Sequence, residues 1–268
     1  MHKYIMFLAS IMLVVLSGCG KGIHLTNDEQ GLPYAEELVE KSSEQIESLK
    51  SFSVESKYVY KSFENPNLKE ASGSSSTNTK IEYVKKPFSM YSQHESPDLE
   101  RIVKEYVTEQ YGVATFRDGQ WEVGPELEGY TSGMIENNKK YVDPYHDLKS
   151  LTTQGMQVEQ KDGNYILTVT GNQHEESAHE GFYDAKTQKI ITLVVTTDHQ
   201  SKLTYTINKR TLLPVELIKE TETTLDYSGD KKYSELKVVH TYQDFNDVNE
   251  KKLLEGAYKA SDPRFSEW

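Results

Sequence analysis

The feature that most constrains the fold of this chain is an alternation of apolar and polar residues that recurs along much of its length. Between residues 52 and 61, the large apolar residues on even positions are Phe52, Val54, Tyr58 and Tyr60. Side chains of a strand point alternately to its two faces, so this pattern predicts a strand with one apolar face and one face in water. Residues 203–207 and 236–242 repeat the pattern. The chain is therefore predicted to form a long antiparallel meander.

The predicted order of elements begins with a helix. Pro33 suits a first helical position and an apolar stripe continues to residue 49, so a helix is expected from Pro33 to about Lys50. A long mobile loop is predicted from Ser62 to Thr79, because this stretch is rich in glycine and serine. Further strands are separated by turn signals, which are Lys86-Pro87, Asp118-Gly119 and Asp162-Gly163.

Two stretches in the middle of the chain lack a regular alternation. Residues 124–133 predict irregular structure. Asp143-Pro144 has the pattern of a helix cap followed by a first-turn proline, and it predicts a short second helix that carries Tyr145, Leu148 and Leu151. For residues 175–195 two alternatives stay open: a helix that starts at Glu175, or a hairpin around Thr187-Gln188.

Elements in this order predict an α+β fold, a curved antiparallel β-sheet (half-barrel) partly covered by short helices. Residues 33–268 are expected to form it as a single domain. Short helices cover the apolar face of such a sheet only in part, so a concave apolar cavity is expected. The candidate lining residues on the apolar registers are Tyr58, Tyr60, Tyr205, Ile207 and Tyr242. Aromatic bodies suit a cavity wall, although ordinary cross-strand packing explains any single one of them.

The N-terminus has the parts of an export signal: a head with Lys3, an apolar run from Ile5 to Leu16, and small residues. The run is shorter than the about 20 residues that cross a bilayer, so its removal is expected. The only cysteine follows, and Leu16, Ser17, Gly18 and Cys19 together resemble the lipobox of bacterial lipoproteins. The resemblance implies cleavage before Cys19, a diacylglycerol on its thiol and an acyl chain such as palmitate on the new amino terminus.

The interpretation of residues 16–19 as a lipobox predicts where the protein lies in the cell. Residues 1–18 are expected to be a lipoprotein signal peptide, and residues 19–32 a lipidated cysteine with a flexible tether. Because two or three acyl chains hold a domain at a membrane, the protein is expected on the extracytoplasmic face of the cell membrane. With one cysteine, the domain cannot contain a disulfide. A formal charge of −12 argues against nucleic acid as a partner.

Three stretches besides the lipobox carry a family resemblance, and they are residues 49–52, 205–214 and 241–248. Through them the chain resembles bacillus-type lipoproteins of Gram-positive bacteria that have unknown function and the half-barrel fold of the LolA/LppX/LprG carriers. Leu254 departs from the proline that such proteins commonly have at this position. The resemblance implies a hydrophobic cavity, which holds lipid or lipoprotein cargo in characterised relatives, and it supplies no catalytic residue.

Two motifs that would indicate catalysis lack the required geometry. His174 and His179 are five residues apart, whereas a zinc-binding helix needs histidines four apart on one face. Ser234 and Lys237 have the spacing of penicillin-recognising enzymes, but residues three apart in a strand point to opposite faces. No Gly-x-Ser-x-Gly elbow, phosphate-binding glycine loop or zinc-spaced cysteine set occurs in the sequence. We therefore expect no enzymatic activity, no metal and no cofactor.

The leading hypothesis for function is a membrane-anchored lipoprotein that binds a lipid or another apolar small molecule in the half-barrel cavity. The alternative hypothesis is a scaffold or regulatory lipoprotein that binds another cell-envelope protein through its sheet edge or loops. A hydrocarbon-lined cavity of roughly 300–1,000 Å³ would favour the first hypothesis, and a well-packed interior would favour the second.

Overall fold

The computed structural model describes residues 25–65, 67, 70–125, 129–142, 155–179, 183–184, 189–190, 193–227 and 230–262. The helices in these residues are α1 (Ala35–Ser48), α2 (Tyr130–Val142) and α3 (Glu250–Ser261). The first strands are β1 (Ser51–Phe63), β2 (Gly73–Val84), β3 (Ser89–Ser96), β4 (Arg101–Thr108), β5 (Gly112–Arg117), β6 (Gln120–Val123) and β7 (Gln157–Lys161). The later strands are β8 (Asn164–His179), β9 (Tyr183–Asp184), β10 (Lys189–Ile190), β11 (Leu193–Asn208), β12 (Pro214–Tyr227) and β13 (Asp230–Gln243).

Eleven of the described strands form one antiparallel sheet, in the order β6-β5-β4-β3-β2-β1-β13-β12-β11-β8-β7. The first and last long strands, β1 and β13, pair with each other near the middle. The sheet is curved and does not close, so β6 and β7 are its edges. This architecture confirms the predicted α+β class and the half-barrel.

The predicted loop from Ser62 to Thr79 is wrong for most of its length. Strand β1 continues to Phe63 and β2 already begins at Gly73, so only the residues between them form the connection. The register pairs Ser62 with Gly73 and Tyr60 with Ser75. The serine-rich run lies beside a long strand that offers hydrogen-bond partners for its backbone. This pairing outweighs the local preference for a loop.

The middle of the chain also differs from its prediction. Helix α2 begins at Tyr130, inside the stretch 124–133 that was expected to be irregular. Three of its apolar side chains pack against the core: Tyr130, Met134 and Ile135. This tertiary packing explains a helix that the sequence pattern alone does not show. The helix predicted after Asp143-Pro144 lies outside the described residues.

Of the two alternatives for residues 175–195, the structure supports the hairpin. Strands β8 and β11 pair over their whole length, up to His179 and Leu193. The short strands β9 and β10 pair with each other between these arms. Residues 185–188, which include Thr187-Gln188, lie between β9 and β10 and outside the described residues. The helix alternative from Glu175 is therefore wrong.

Helix α1 covers one face of the sheet, which we call the inner face. It begins at Ala35, two residues after the predicted start, and ends at Ser48. Leu38 and Ile46 of α1 are buried in the main core cluster. The hydroxyl groups of Ser42 and Tyr205 lie 3.2 Å apart, which fixes the helix across β11. Because α2 packs on the same cluster, both helices contribute to one core.

Helix α3 packs on the opposite side of the sheet, which we call the outer face. Its buried residues are Leu253, Ala257 and Ala260. Tyr106 of β4 lies under Gly256 and close to Tyr91 and Trp121, with ring centroids 4.9 and 5.5 Å from its own. The helix is capped by Asn249, whose side chain accepts a hydrogen bond from the Lys252 amide. Strands β4 and β5 are thus contacted by α2 on the inner face and by α3 on the outer face.

Candidate functional site

The helices cover only one half of the inner face of the strands β1 and β13. Phe52 and Val54, at the start of β1, are 2% and 3% exposed. Further along the same face, Tyr58 is 38% and Tyr60 is 44% exposed. Their cross-strand partners on β13 are Val238 and Leu236, of which Leu236 is 37% exposed. We call Tyr58, Tyr60, Leu236 and Val238 the apolar patch.

The structure separates the five candidate cavity residues into two groups. Tyr58 and Tyr60 belong to the apolar patch. Tyr205, Ile207 and Tyr242 are part of the packed core, with exposures of 0%, 0% and 8%. Tyr205 and Ile207 are fully buried on the half of the inner face that the helices cover. Cys19 and the lipobox residues Leu16, Ser17 and Gly18 lie outside the described residues.

Polar side chains border the apolar patch on the inner face, which the alternation pattern did not predict. The row nearest the patch consists of the cross-strand neighbours His240, Ser56, Thr79 and His94. Ser92 and Glu105 lie one row further from the patch, in register with Ile81 and Val54. These residues occupy inner-face positions of β1, β2, β3, β4 and β13, and we call them the polar band: Ser56, Thr79, Ser92, His94, Glu105 and His240. The sequence signal for this band was available: it consists of polar residues at positions that the alternation assigns to the core. Ser56, Thr79 and Ser92 are all buried, with exposures of 5%, 6% and 2%.

Two hydroxyl–imidazole pairs form one part of the polar band. The Ser56 Oγ atom lies 2.7 Å from Nδ1 of His240, and the Thr79 Oγ1 atom lies 2.9 Å from Nδ1 of His94. Burial lowers the pKa of His94, because the charged imidazolium loses hydration. This part of the band therefore presents hydroxyl groups and a neutral imidazole at neutral pH.

The other part of the polar band contains a hydroxyl group that has no hydrogen-bond partner among the described residues. Ser92 Oγ is buried and makes no hydrogen bond within the part of the chain that the structure describes. Its cross-strand neighbour on β4 is Glu105. The half-buried Glu105 carboxylate accepts a long hydrogen bond of 3.5 Å from Thr115 Oγ1. Buried hydroxyl groups in proteins are usually satisfied, so Ser92 marks a position where a partner is missing.

Burial raises the pKa of Glu105, because the carboxylate loses hydration, while the bond from Thr115 has the smaller, opposite effect. The folded state therefore holds the Glu105 proton more tightly than the unfolded state. The ionisation of Glu105 therefore lowers the free energy of unfolding as the pH rises above the unfolded-state pKa. This loss of stability is complete above the folded-state pKa.

We expect Glu105→Gln to raise the free energy of unfolding at pH 7 to 8, because the neutral amide has no ionisation cost. The gain should shrink as the pH is lowered through the raised pKa of folded Glu105, and it should vanish below the ordinary glutamate pKa, where both states are protonated. Urea denaturation at a series of pH values measures this difference. The exposed Glu122 on β6 serves as a control, and Glu122→Gln should change stability by less than about 0.5 kcal/mol. A gain from Glu105→Gln that is independent of pH would contradict this prediction.

A pocket of about 500 Å³ lies on the outer face, opposite the apolar patch. Five strands contribute to it, from β8 to β1. Its charged lining residues are Lys61, Lys202, Glu220, Glu222, Glu235 and Lys237. Lys237 and Glu220 form an ion pair at 2.8 Å. The formal charges of these three lysines and three glutamates cancel, and this charged lining differs from the predicted apolar cavity.

The histidine and serine–lysine motifs both lie on strands. His174 is exposed on β8 and its Nδ1 atom lies 2.6 Å from the Asp198 carboxylate, which raises the pKa of His174. His179 is the last residue of the same strand. On β13, Ser234 lies on the inner face, whereas Lys237 lies on the outer face beside Glu220. The structure does not bring either pair of residues together.

No helix within the described ranges has the length and apolar character that would allow it to span a bilayer.

Comparisons with known proteins place the chain in a family without a known activity. Residues 34–253 match the model of DUF6612, described as a family of unknown function. A comparison with curated protein sequences finds no match. One similar solved structure is a DUF1329 family protein from Desulfovibrio piger, at 8% identity and a TM-score of 0.26. That similarity covers 82% of this chain and 99% of the other.

Proposed function

Since the chain belongs to the DUF6612 family of unknown function, we propose its role from its own residues. The proposed role is that of a non-enzymatic lipid-binding lipoprotein. In this proposal, acyl chains on Cys19 anchor it on the extracytoplasmic face of the cell membrane. The bound molecule is a lipid or another apolar molecule, and it lies on the apolar patch. The lipobox sequence and the apolar export signal support the anchor.

The exposure of Tyr58, Tyr60 and Leu236 is the observation that carries the proposal. These side chains lie on neighbouring registers of β1 and β13 and continue the same face that forms the core. Large apolar side chains on adjacent positions that remain exposed are typical of binding sites. The core beneath α1 is filled by residues such as Tyr205 and Ile207, which by itself fits the scaffold alternative. We therefore place the ligand on the exposed patch beyond the helices and not in an interior cavity.

The arrangement of the polar band supports a role in binding rather than catalysis. Ser92 and His94 lie on the same strand, but the Ser92 hydroxyl makes no hydrogen bond to this imidazole within the described residues. The Nδ1 atom of His94 is instead next to Thr79. A serine nucleophile needs a base within hydrogen-bond distance of its hydroxyl. The band therefore lacks the contact that would activate Ser92.

We expect the double variant Tyr60→Ser/Leu236→Ser to bind an acyl-chain probe about 10-fold more weakly or worse, because each truncation removes apolar contact area. The measurement is equilibrium dialysis of radiolabelled monooleoylglycerol, below its aggregation concentration, against the full chain with Cys19→Ser. That substitution removes the acylation site. Tyr258→Ser is the matched control, since Tyr258 is 45% exposed on α3 and lies outside the patch.

The outcomes separate the candidate functions. Unchanged binding by the double variant would contradict the assignment of the patch, and no binding by the parent chain would contradict lipid binding altogether. In that case, a specific crosslinked envelope protein would favour the alternative role as a scaffold.

A further inference from the structure

We propose that the polar band is a head-group site, in which Ser92 and Glu105 bind the uncharged, hydroxyl-bearing head of an amphiphile whose acyl chain lies on the apolar patch. This inference rests on the proposed function and adds the chemical class of the ligand. The relevant heads are those of neutral glycerolipids, which carry hydroxyl and ester oxygens. The hydroxyl groups can donate a hydrogen bond to the Glu105 carboxylate, and the hydroxyl and ester oxygens can accept one from Ser92.

The position of the band relative to the patch supports one continuous site. His240 and Ser56 form a cross-strand pair on β13 and β1, and Val238 and Tyr58 form the next pair on the same face. The rings of Tyr58 and His240 lie edge to face at 5.9 Å. A ligand chain on the patch would therefore end against Ser56 and His240. Its head would extend past Thr79 and His94 to reach Ser92, which lies two strands from β1 and one row further from the patch.

The unpartnered hydroxyl of Ser92 indicates where the head would bind. Ser92 is 2% exposed and its Oγ atom has no described hydrogen-bond partner, so an acceptor or donor supplied by a ligand would satisfy it. Because Ser92 is buried, binding requires a neighbouring side chain to move. The neighbouring Glu105 is suited to this movement, because it is half-buried and its hydrogen bond from Thr115 is 3.5 Å long.

The charges around the band favour an uncharged head. The band contains one carboxylate and no lysine or arginine, so a phosphate would face repulsion without a compensating cation. Lys219 and Arg101 lie on the same face at more distant registers, on β12 and β4. A phosphate-bearing ligand would bind near Lys219, which is paired with Val238, instead of near Ser92.

The test compares two probes with the same acyl chain, using the full chain with Cys19→Ser. Monooleoylglycerol carries an uncharged head, and oleoyl lysophosphatidic acid carries a phosphate. We expect the parent chain to prefer monooleoylglycerol. Ser92→Ala should weaken its binding about 3–10-fold, the usual range for one hydrogen bond between neutral groups. The same variant should keep or raise the melting temperature, because it removes a buried hydroxyl that the protein leaves unsatisfied.

A second variant keeps the inference testable if Ser92→Ala disturbs the strand. Glu105→Gln should strengthen binding of the phosphate probe, since it removes the repelling carboxylate, so the preference for monooleoylglycerol over the phosphate probe should shrink. Preference for the phosphate probe by the parent chain, or unchanged monooleoylglycerol binding in Ser92→Ala, would overturn the head-group site. If Tyr60→Ser/Leu236→Ser still weakens binding in those cases, the proposed function stands. Binding of neither probe by the parent chain would overturn both.

Discussion

Phe52→Ala is expected to lower the free energy of unfolding by about 3–5 kcal/mol, the usual cost of truncating a buried phenylalanine. Phe52 is 2% exposed at the start of β1, and its ring centroid lies 5.0 Å from that of Tyr83. The substitution would leave a cavity beneath α1, where the rigid sheet prevents neighbouring side chains from filling it. Urea denaturation of the parent and variant chains measures the loss.

Tyr58→Ala provides the matched control, because Tyr58 lies on the same strand and the same face. It is 38% exposed, so its truncation should cost less than about 1 kcal/mol. A large difference between the two variants would show that the helices cover only one half of the inner face. Equal losses would mean that the patch is packed in solution, and they would argue against the ligand site placed there.

Gly256→Ala is expected to destabilise the protein by about 1–3 kcal/mol, as overpacking of a filled site usually does. A Cβ atom at this position in α3 would overlap the Tyr106 hydroxyl and lie 2.8 Å from the Cζ atom of its ring. The ring has little room to move, because Tyr91 and Trp121 lie close to it. The clash should exceed the gain of about 1 kcal/mol that alanine brings to a helix.

Gly133→Ala tests the same substitution without the clash. Gly133 lies in α2, and a Cβ atom there would meet nothing within 4 Å. We expect this variant to be more stable by about 0.5–1 kcal/mol, since alanine restricts the unfolded chain and favours the helix. Thermal unfolding of both glycine variants should therefore show shifts of opposite sign. A stabilising Gly256→Ala would contradict the close packing of α3 on β4.

The strands were predictable from the sequence because their signal is local. Side chains two residues apart share a face, so the even positions from Phe52 to Tyr60 predicted β1, and the apolar stripe after Pro33 predicted α1. Turn signals such as Asp118-Gly119 also lie where the structure turns, with Asp118 and Gly119 both at positive φ. These patterns were sufficient for the α+β class and the antiparallel sheet.

Other elements depend on contacts between residues distant in sequence. The serine-rich start of β2 is a strand because β1 lies beside it, and α2 is a helix whose apolar side chains reach the core. These partners, β1 for the start of β2 and the core for α2, are distant in sequence, so a local sequence pattern cannot reveal them.

The sequence by itself determined the class of fold through its repeating alternation, because this pattern depends on residue type and spacing alone. The single cysteine can likewise be read directly from the sequence. The sequence also predicted that Tyr58 and Tyr205 lie on apolar registers, but alternation assigns a face and not a degree of burial. Only the tertiary structure decided that α1 encloses Tyr205 and leaves Tyr58 exposed. It also decided that Ser92 and Glu105 become cross-strand neighbours, because strand register joins residues that the chain itself keeps apart.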